Sequence, residues 1–175
     1  MTKPRRVVVT GVGAVTPLGT GAGKAWRRLL NGESGVGPIT KFDASGFTTR
    51  IAAELKDFTP EDFMEKKRAR RTDPFIHYAM AATSMALEDS GFEINEHNAC
   101  RVGVVLGTCV GGMLTYEKNV ITLQEEGPDK ISPFFVTGFI PNMALAEIAI
   151  AYGTKGPSQC VVTACATGGN AIGDA

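Results

Sequence analysis

Cysteine is scarce in this chain and histidine scarcer. Cys100, Cys109, Cys160 and Cys165 form no CxxC pair, and His77 and His97 are the only histidines. That supply does not match the spacings of zinc sites. An excess of one charge is lacking too, with 18 Lys and Arg against 18 Asp and Glu. Bulk attraction to nucleic acid or a membrane surface is therefore not expected, and only a local patch could provide it. No apolar stretch approaches the roughly 20 residues of a membrane span. The start, MTKPRRVVVTGVGAV, has the outline of a secretion signal. Its apolar run is β-branched, however, is broken by Gly11 and Gly13, and continues into TPLG without a cleavage segment. Unpaired thiols without such a signal point to the reducing cytosol. There is no internal repeat and no low-complexity linker, so the 175 residues read as one domain able to bury a core.

Two nucleotide motifs are missed narrowly. VVVTGVGAVTP would need glycine at position 16 for a dinucleotide fingerprint; Thr16 stands there and Pro17 follows. GTGAGKA is one residue short of a P-loop, and Ala25 replaces the hydroxyl residue that would hold magnesium.

What is present alternates between strand and helix. VVVTG at 7–11 reads as a buried strand ending in a glycine turn. GAGKAWRRLLNG reads as a helix with Trp26, Leu29 and Leu30 on its inner face and Gly32 past its end. Residues 33–58 read as loop with a modest strand near 47–55. Thr59-Pro60-Glu61-Asp62 has the capping hydroxyl, first-turn proline and acids of a helix start, and that helix should carry KKRARR at 66–71. Asp73-Pro74 opens another, with Phe75, Tyr78, Ala82, Met85 and Ala86 at helical spacing, and its alanines predict close packing. His77 reads as one of its packed or edge residues. RVGVVLG at 101–107 is a second strand, TCVGG a loop, and 113–126 a helix. ISPFFV reads as extended, because proline disfavours helix in the residue before it. PNMALAEIAIAYG is a helix closed by Gly153, SQCVVTA a last strand, and Cys165 opens a last helix. The alternation implies a layered α/β fold with a mainly parallel sheet.

Cys165 is the sharpest feature. A cysteine is commonly a small buried hydrophobe, which suits Cys100 and Cys160. Cys165 instead follows a buried strand and precedes ATGGN, which can turn tightly into a helix. A helix N-terminus presents free N–H groups and partial positive charge, which favour thiolate and can hold a developing oxyanion. An α/β-hydrolase elbow would carry glycines two residues either side; here those positions are Thr163 and Thr167. KKRARR alone reads as a solvated helix face, although Lys67, Arg70 and Arg71, and also Arg68 with Arg71, fall at helical spacings and could meet an acidic partner.

TACATGGNAIGDA resembles the nucleophile motif of the β-ketoacyl-[acyl carrier protein] synthases, and most of all the elongating enzymes of type II fatty-acid synthesis. RRVVVTGVGAVTPLG, RTDPFIHYAMAA, GTCVGGM, KISPFFV and IPNMA resemble other segments of that family in the same order. The resemblance implies a thiolase-like αβαβα layered fold, of which this chain supplies the first half, stopping inside the helix after the nucleophile. The two histidines and the lysine that complete the family's site would lie in the second half. Carried over by motif, Cys165 is the nucleophile, Val110 and Phe135 line the acyl pocket, with Phe135 reaching across a dimer interface, and Lys67, Arg70 and Arg71 dock the carrier protein. The implied reaction passes an acyl chain to Cys165 and then condenses it with malonyl carrier protein. The implied partners are acyl carrier protein, a second copy in a homodimer and the second half of the synthase. No metal or diffusible cofactor is implied, because substrates arrive on a phosphopantetheine arm. Cys109, where glycine is usual, Thr137-Gly138 and Leu145-Ala146-Glu147 depart from the family pattern. Two rivals remain open: a non-catalytic or polyketide-type condensing subunit, and a redox-sensing α/β domain.

Overall fold

The computed structural model describes residues 6–175, so the basic residues at 3 and 5 lie outside it. The chain divides into two compact units. One takes the residues up to Thr59 together with Ala82–Phe92, and the other takes Pro60–Ala81 with Glu93–Ala175. Among the described residues, no helix is long and apolar enough to cross a membrane.

In the first unit, β1 (Val15–Thr16) pairs antiparallel with β2 (Gly19–Thr20), and α1 (Ala22–Leu30) follows. β3 (Gly37–Pro38) pairs antiparallel with β4 (Ile51–Ala52), which places the modest strand inside the expected 47–55 stretch. The strand expected at 7–11 does not form: Val7 and Val9 are each 81% exposed and no ladder reaches them. Valine's preference for a strand needs a partner to pair with, and none of the described residues supplies one. What fixes this segment is helix packing. A Cβ on Gly11 would lie 2.2 Å from the Ala86 carbonyl oxygen, and one on Gly13 would lie 1.9 Å from that of Ala82. The Val12 N–H donates to Asp89 Oδ2 at 2.9 Å. The α1 face is corrected too. Trp26, Leu29 and Leu30 all stay more than half exposed, and Trp26 and Leu29 edge an open apolar cavity of about 400 Å³.

The second unit holds the core. The single helix expected from Thr59 through Arg71 is broken into a 3₁₀ turn at Pro60–Asp62 and the one-turn helix α2 (Lys66–Ala69). Glu65 is extended between them, and Met64 is drawn against the core cluster. Burial of an apolar side chain here overrides helix continuation. Pro74–Ser90 forms α3, whose first turns belong to this unit and whose last turns belong to the other. Its buried face is Ile76, His77, Met80 and Ala81, whereas Phe75, Tyr78, Ala82, Met85 and Ala86 are only half-buried.

β5 (Val104–Gly107) and β6 (Ser158–Val161) form a parallel pair in register Val104↔Ser158 to Gly107↔Val161. Between them run α4 (Met113–Glu126), a 3₁₀ turn at Pro128–Lys130, α5 (Phe135–Phe139) and α6 (Met143–Tyr152). Gly153 closes α6 at φ +68°, as its place after the helix predicts. Ile76, Met80, Ala144 and Ile148 make the buried cluster, with Val104 and Leu106 of β5 packed against it. The extended reading of ISPFFV fails at Phe135. The Ser132 hydroxyl accepts the Phe134 N–H at 3.1 Å and its carbonyl accepts the Phe135 N–H at 2.9 Å, which turns the chain into α5.

Candidate active site

The parallel register sets the site. Gly107 lies opposite Val161, so the loop after β5 and the turn after β6 leave the sheet side by side, and the Thr108 N–H donates to the Val161 carbonyl at 3.3 Å. Parallel α/β sheets bind ligands at this carboxyl edge. Cys165 sits in the 3₁₀ turn Ala164–Ala166 that joins β6 to α7 (Thr167–Asp174), and it is exposed.

Ala164 is the only described non-glycine residue with positive φ, at +50°. An L-residue held there stores on the order of 1–2 kcal/mol. Its neighbours hold it in place. The Thr163 N–H donates to Thr167 Oγ1 at 2.8 Å, and Asn170 Nδ2 donates to Thr163 Oγ1 at 2.9 Å. Thr167 is buried, at 4% exposure. The two threonines that replace a hydrolase elbow's glycines are therefore a clamp across the cysteine, fixing both chain ends of the turn. Gly107 makes room for that clamp: a Cβ there would lie 2.0 Å from Thr167 Cγ2.

Val110 is half exposed in the loop after β5. That loop turns at Gly111, φ +82°, and the Gly112 N–H donates to the Phe139 carbonyl at 2.8 Å, joining the loop to the end of α5. On α5, Phe135 is half-buried and stacks on Phe139, with ring centroids 5.0 Å apart. Tyr116 of α4 packs against both rings at 6.2 and 5.7 Å. The structure thus links the two predicted pocket positions through the backbone and builds an aromatic cluster around one of them. Cys109 is exposed in the same loop.

One buried carboxylate organises this region, and in the sequence it marks only the start of a helix. Asp73, 4% exposed, accepts the Thr115 N–H at 2.8 Å at the start of α4 and the Phe75 N–H at 3.4 Å at the start of α3. It serves two helix starts, and it fixes where α4 begins after the Val110 loop.

Lys67, Arg70 and Arg71 are all exposed. Arg68 does not share their face, because its Nε donates to Glu147 of α6, whose carboxylate is largely buried. Glu147, one of the departures from the family pattern, thereby anchors α2. His77 anchors it from below: its Nε2 bonds the Ala69 carbonyl at 3.0 Å and Thr72 Oγ1 at 3.1 Å. Burial lowers the His77 pKa, and the bond to Ala69 opposes that shift. His97 is exposed in the loop after α3. Cys100 is exposed, against expectation, because it lies on a 3₁₀ turn whose buried residue is Ala99. Cys160 is half-buried on β6, and burial pushes its thiol up.

Residues 4–175 match the model of the beta-ketoacyl synthase N-terminal domain. The 3-oxoacyl-[acyl-carrier-protein] synthase 2 of Coxiella burnetii is 53% identical over 98% of this chain and 41% of its own length. A beta-ketoacyl synthase structure from Burkholderia phymatum superposes with a TM-score of 0.82 at 29% identity, covering 98% of this chain and 43% of its own. A type II PKS acyl-carrier protein in complex with its ketosynthase gives 0.80 at 27% identity, covering 96% and 44%. The chain therefore spans about two fifths of the length of the relatives it matches. The cysteine at the carboxyl edge of a parallel pair, the loop facing it and the order of elements around them have the ketosynthase, thiolase-like arrangement, and the chain belongs to the beta-ketoacyl synthase family through its N-terminal domain.

Proposed function

We propose that this chain is the nucleophile-bearing part of a 3-oxoacyl-[acyl carrier protein] synthase. The Cys165 thiolate attacks the thioester carbonyl of an acyl carrier protein. The acyl group moves to Sγ, and the carrier thiol leaves with a proton. Malonyl carrier protein then loses carbon dioxide, and its C2 attacks the Cys165 thioester. The β-ketoacyl carrier departs and the thiolate returns. The substrates arrive on a phosphopantetheine arm, so this scheme calls for no metal or diffusible cofactor. The observation that carries the reading is the exposed Cys165 on a strained, threonine-clamped turn at the sheet's carboxyl edge.

Val110 and Phe135 would line the acyl channel, and Lys67, Arg70 and Arg71 would meet the acidic carrier. A similar structure holds an acyl-carrier protein on its ketosynthase, which supports this class of partner. Free thiols at all four cysteines suit a cytosolic protein. Neither histidine suits proton transfer at Cys165, since His77 is buried on Ala69 and Thr72 and His97 lies in a separate loop. The acid–base groups of condensation would therefore come from sequence beyond these 175 residues. Pairing through β6 in a two-fold dimer is part of the same reading. Among the described residues that strand has a partner only in β5, and no charge falls between Ser158 and Ala164.

The test is condensation by the protein that carries this chain, with acyl and malonyl carrier protein, beside its Cys165→Ala variant. Product from the wild type and none from the variant is expected; equal product from both would end the proposal. The 175-residue chain alone should form no carbon–carbon bond.

A further inference from the structure

Two thiols leave the sheet at one edge, and the synthase reaction uses only one of them. Cys109 is the second residue past β5, and Cys165 is the fourth past β6. The register Gly107↔Val161 sets their two starting points opposite each other. The Cys165 turn then folds back onto the same glycine. A Cβ on Gly107 would lie 3.1 Å from the Val161 carbonyl oxygen, before the turn, and 2.0 Å from Thr167 Cγ2, after it. Both ends of the turn therefore flank Gly107, two residues from Cys109. The facing loop is closed by Thr108, whose hydroxyl accepts the Gly111 N–H at 3.2 Å and leaves Cys109 and Val110 at the tip. Both thiols are exposed.

The other two cysteines are placed differently. Cys100 precedes β5, so the four residues of that strand, about 13 Å of chain, separate it from the loop that carries Cys109. Cys160 lies within β6, half-buried and opposite Leu106. Only Cys109 and Cys165 share the carboxyl edge. A disulfide needs Cα atoms about 4.4–6.8 Å apart, and loops leaving strands about 4.8 Å apart start within that range. A sulfur that a carrier-borne thioester must reach is also open to a smaller electrophile.

We propose that Cys109 and Cys165 are a redox pair, in which a hydroperoxide oxidises Cys165 and Cys109 captures the product as a disulfide. In the first step Cys165 Sγ attacks one oxygen of hydrogen peroxide and the O–O bond breaks. The other oxygen leaves as water, taking the thiol proton, and Cys165 becomes a sulfenic acid. In the second step Cys109 Sγ attacks that sulfur and the S–O bond breaks. The hydroxyl leaves as water with the Cys109 proton, and the S–S bond remains. The two thiols give up two electrons, which the peroxide takes. A dithiol reductant restores both thiols by exchange. The disulfide keeps Cys165 from the irreversible sulfinic acid and, while it lasts, from acylation. The effect on acylation rests on the synthase reading above, whereas the disulfide itself does not.

The experiment treats the protein carrying this chain, as wild type and as Cys109→Ser, with increasing hydrogen peroxide. The remaining thiols are alkylated and the peptides weighed without reductant. In the wild type a peptide linking Cys109 to Cys165 is expected, and dithiothreitol should return both thiols. In Cys109→Ser no linked peptide is expected, and Cys165 should gain two oxygens that dithiothreitol does not remove. A wild type whose Cys165 is oxidised without a link to Cys109, or is untouched by peroxide, overturns the proposal. So does a link from Cys165 to Cys100 or Cys160 instead, or a Cys109→Ser protein whose Cys165 is recovered as fully as that of the wild type. Acyl transfer from an acyl carrier protein thioester is then measured on the linked and the reduced wild type. Loss on linking and return on reduction are expected. Equal transfer by both would refute Cys165 as the acyl acceptor and leave the disulfide to stand.

Discussion

Substituting Gly107 by alanine should disturb the cysteine's turn through one identifiable methyl group. The new Cβ would lie 2.0 Å from Thr167 Cγ2, with the Thr167 and Val161 carbonyl oxygens at 3.1 Å. The threonine cannot swing away freely, because it is buried and its hydroxyl holds the Thr163 N–H. Overpacking of this kind costs about 1–3 kcal/mol, and partial loss of the clamp adds about 1 kcal/mol. Gly107→Ala should therefore destabilise by about 2–4 kcal/mol. Thr167→Ser removes the clashing methyl and keeps the hydroxyl, so alone it should cost about 1 kcal/mol. In the double variant the two carbonyl contacts at 3.1 Å can relax by tenths of an ångström. Its loss should then be about 1–2 kcal/mol, well below the sum of the singles. Urea unfolding of the four proteins measures this cycle, and the alkylation rate of Cys165, followed by peptide mass, reports whether the turn recovers. Losses that add within about 0.5 kcal/mol would refute the argument that Gly107 exists to admit the Thr167 methyl.

Further outcomes follow from the same geometry. Asp73→Ala should cost about 2 kcal/mol by unfolding midpoint, because it strips a buried acceptor from the Thr115 N–H. The folded protein holds the His77 pKa below its usual value, so the unfolded chain binds the extra proton. The stability this contributes is fully present above about pH 6.5 and is lost as pH falls toward the folded value; His77→Gln should flatten that part of the pH profile. Among the four thiols Cys160 should be alkylated most slowly, since it alone is half-buried and burial raises its pKa; faster labelling of Cys160 than of Cys100 would contradict its placement on β6. Charge reversal at Lys67, Arg70 and Arg71 together should slow carrier association with strong salt dependence, and normal association at low salt would refute the docking face.

What the sequence disclosed follows from how local each signal is. The α4 and α6 helices and Gly153 were readable because periodicity and a left-handed stop lie within one segment. The order of β5, its loop, β6 and the cysteine turn was equally readable, and it places Cys165 and Val110. Two failures came where a distant partner decides, and a third where a neighbouring side chain captures the backbone. Valines at 7–9 form no strand without a neighbour to pair with. The helix from Thr59 breaks because Met64 is drawn to the core. Ser132 captures the Phe134 N–H and converts an extended stretch into α5. The clamp between Thr163 and Thr167 was missed for a different reason. In the sequence their positions stand out only as absent glycines, and nothing in the letters shows that the hydroxyl of one would meet the backbone of the other. Glu147 is a departure from the family pattern whose role shows only in the fold, where Arg68 pairs with it.

The central claim is that Cys165, and no other thiol, takes the acyl group. Its most direct test is to mix the protein carrying this chain with an acyl carrier protein thioester, without malonyl carrier protein. The reaction is then quenched in acid, and the peptides containing Cys100, Cys109, Cys160 and Cys165 are weighed. The account predicts one acyl adduct, on the Cys165 peptide, absent from Cys165→Ala. An adduct on Cys109 of the facing loop, or none on any cysteine while the carrier thioester stays intact, would contradict it.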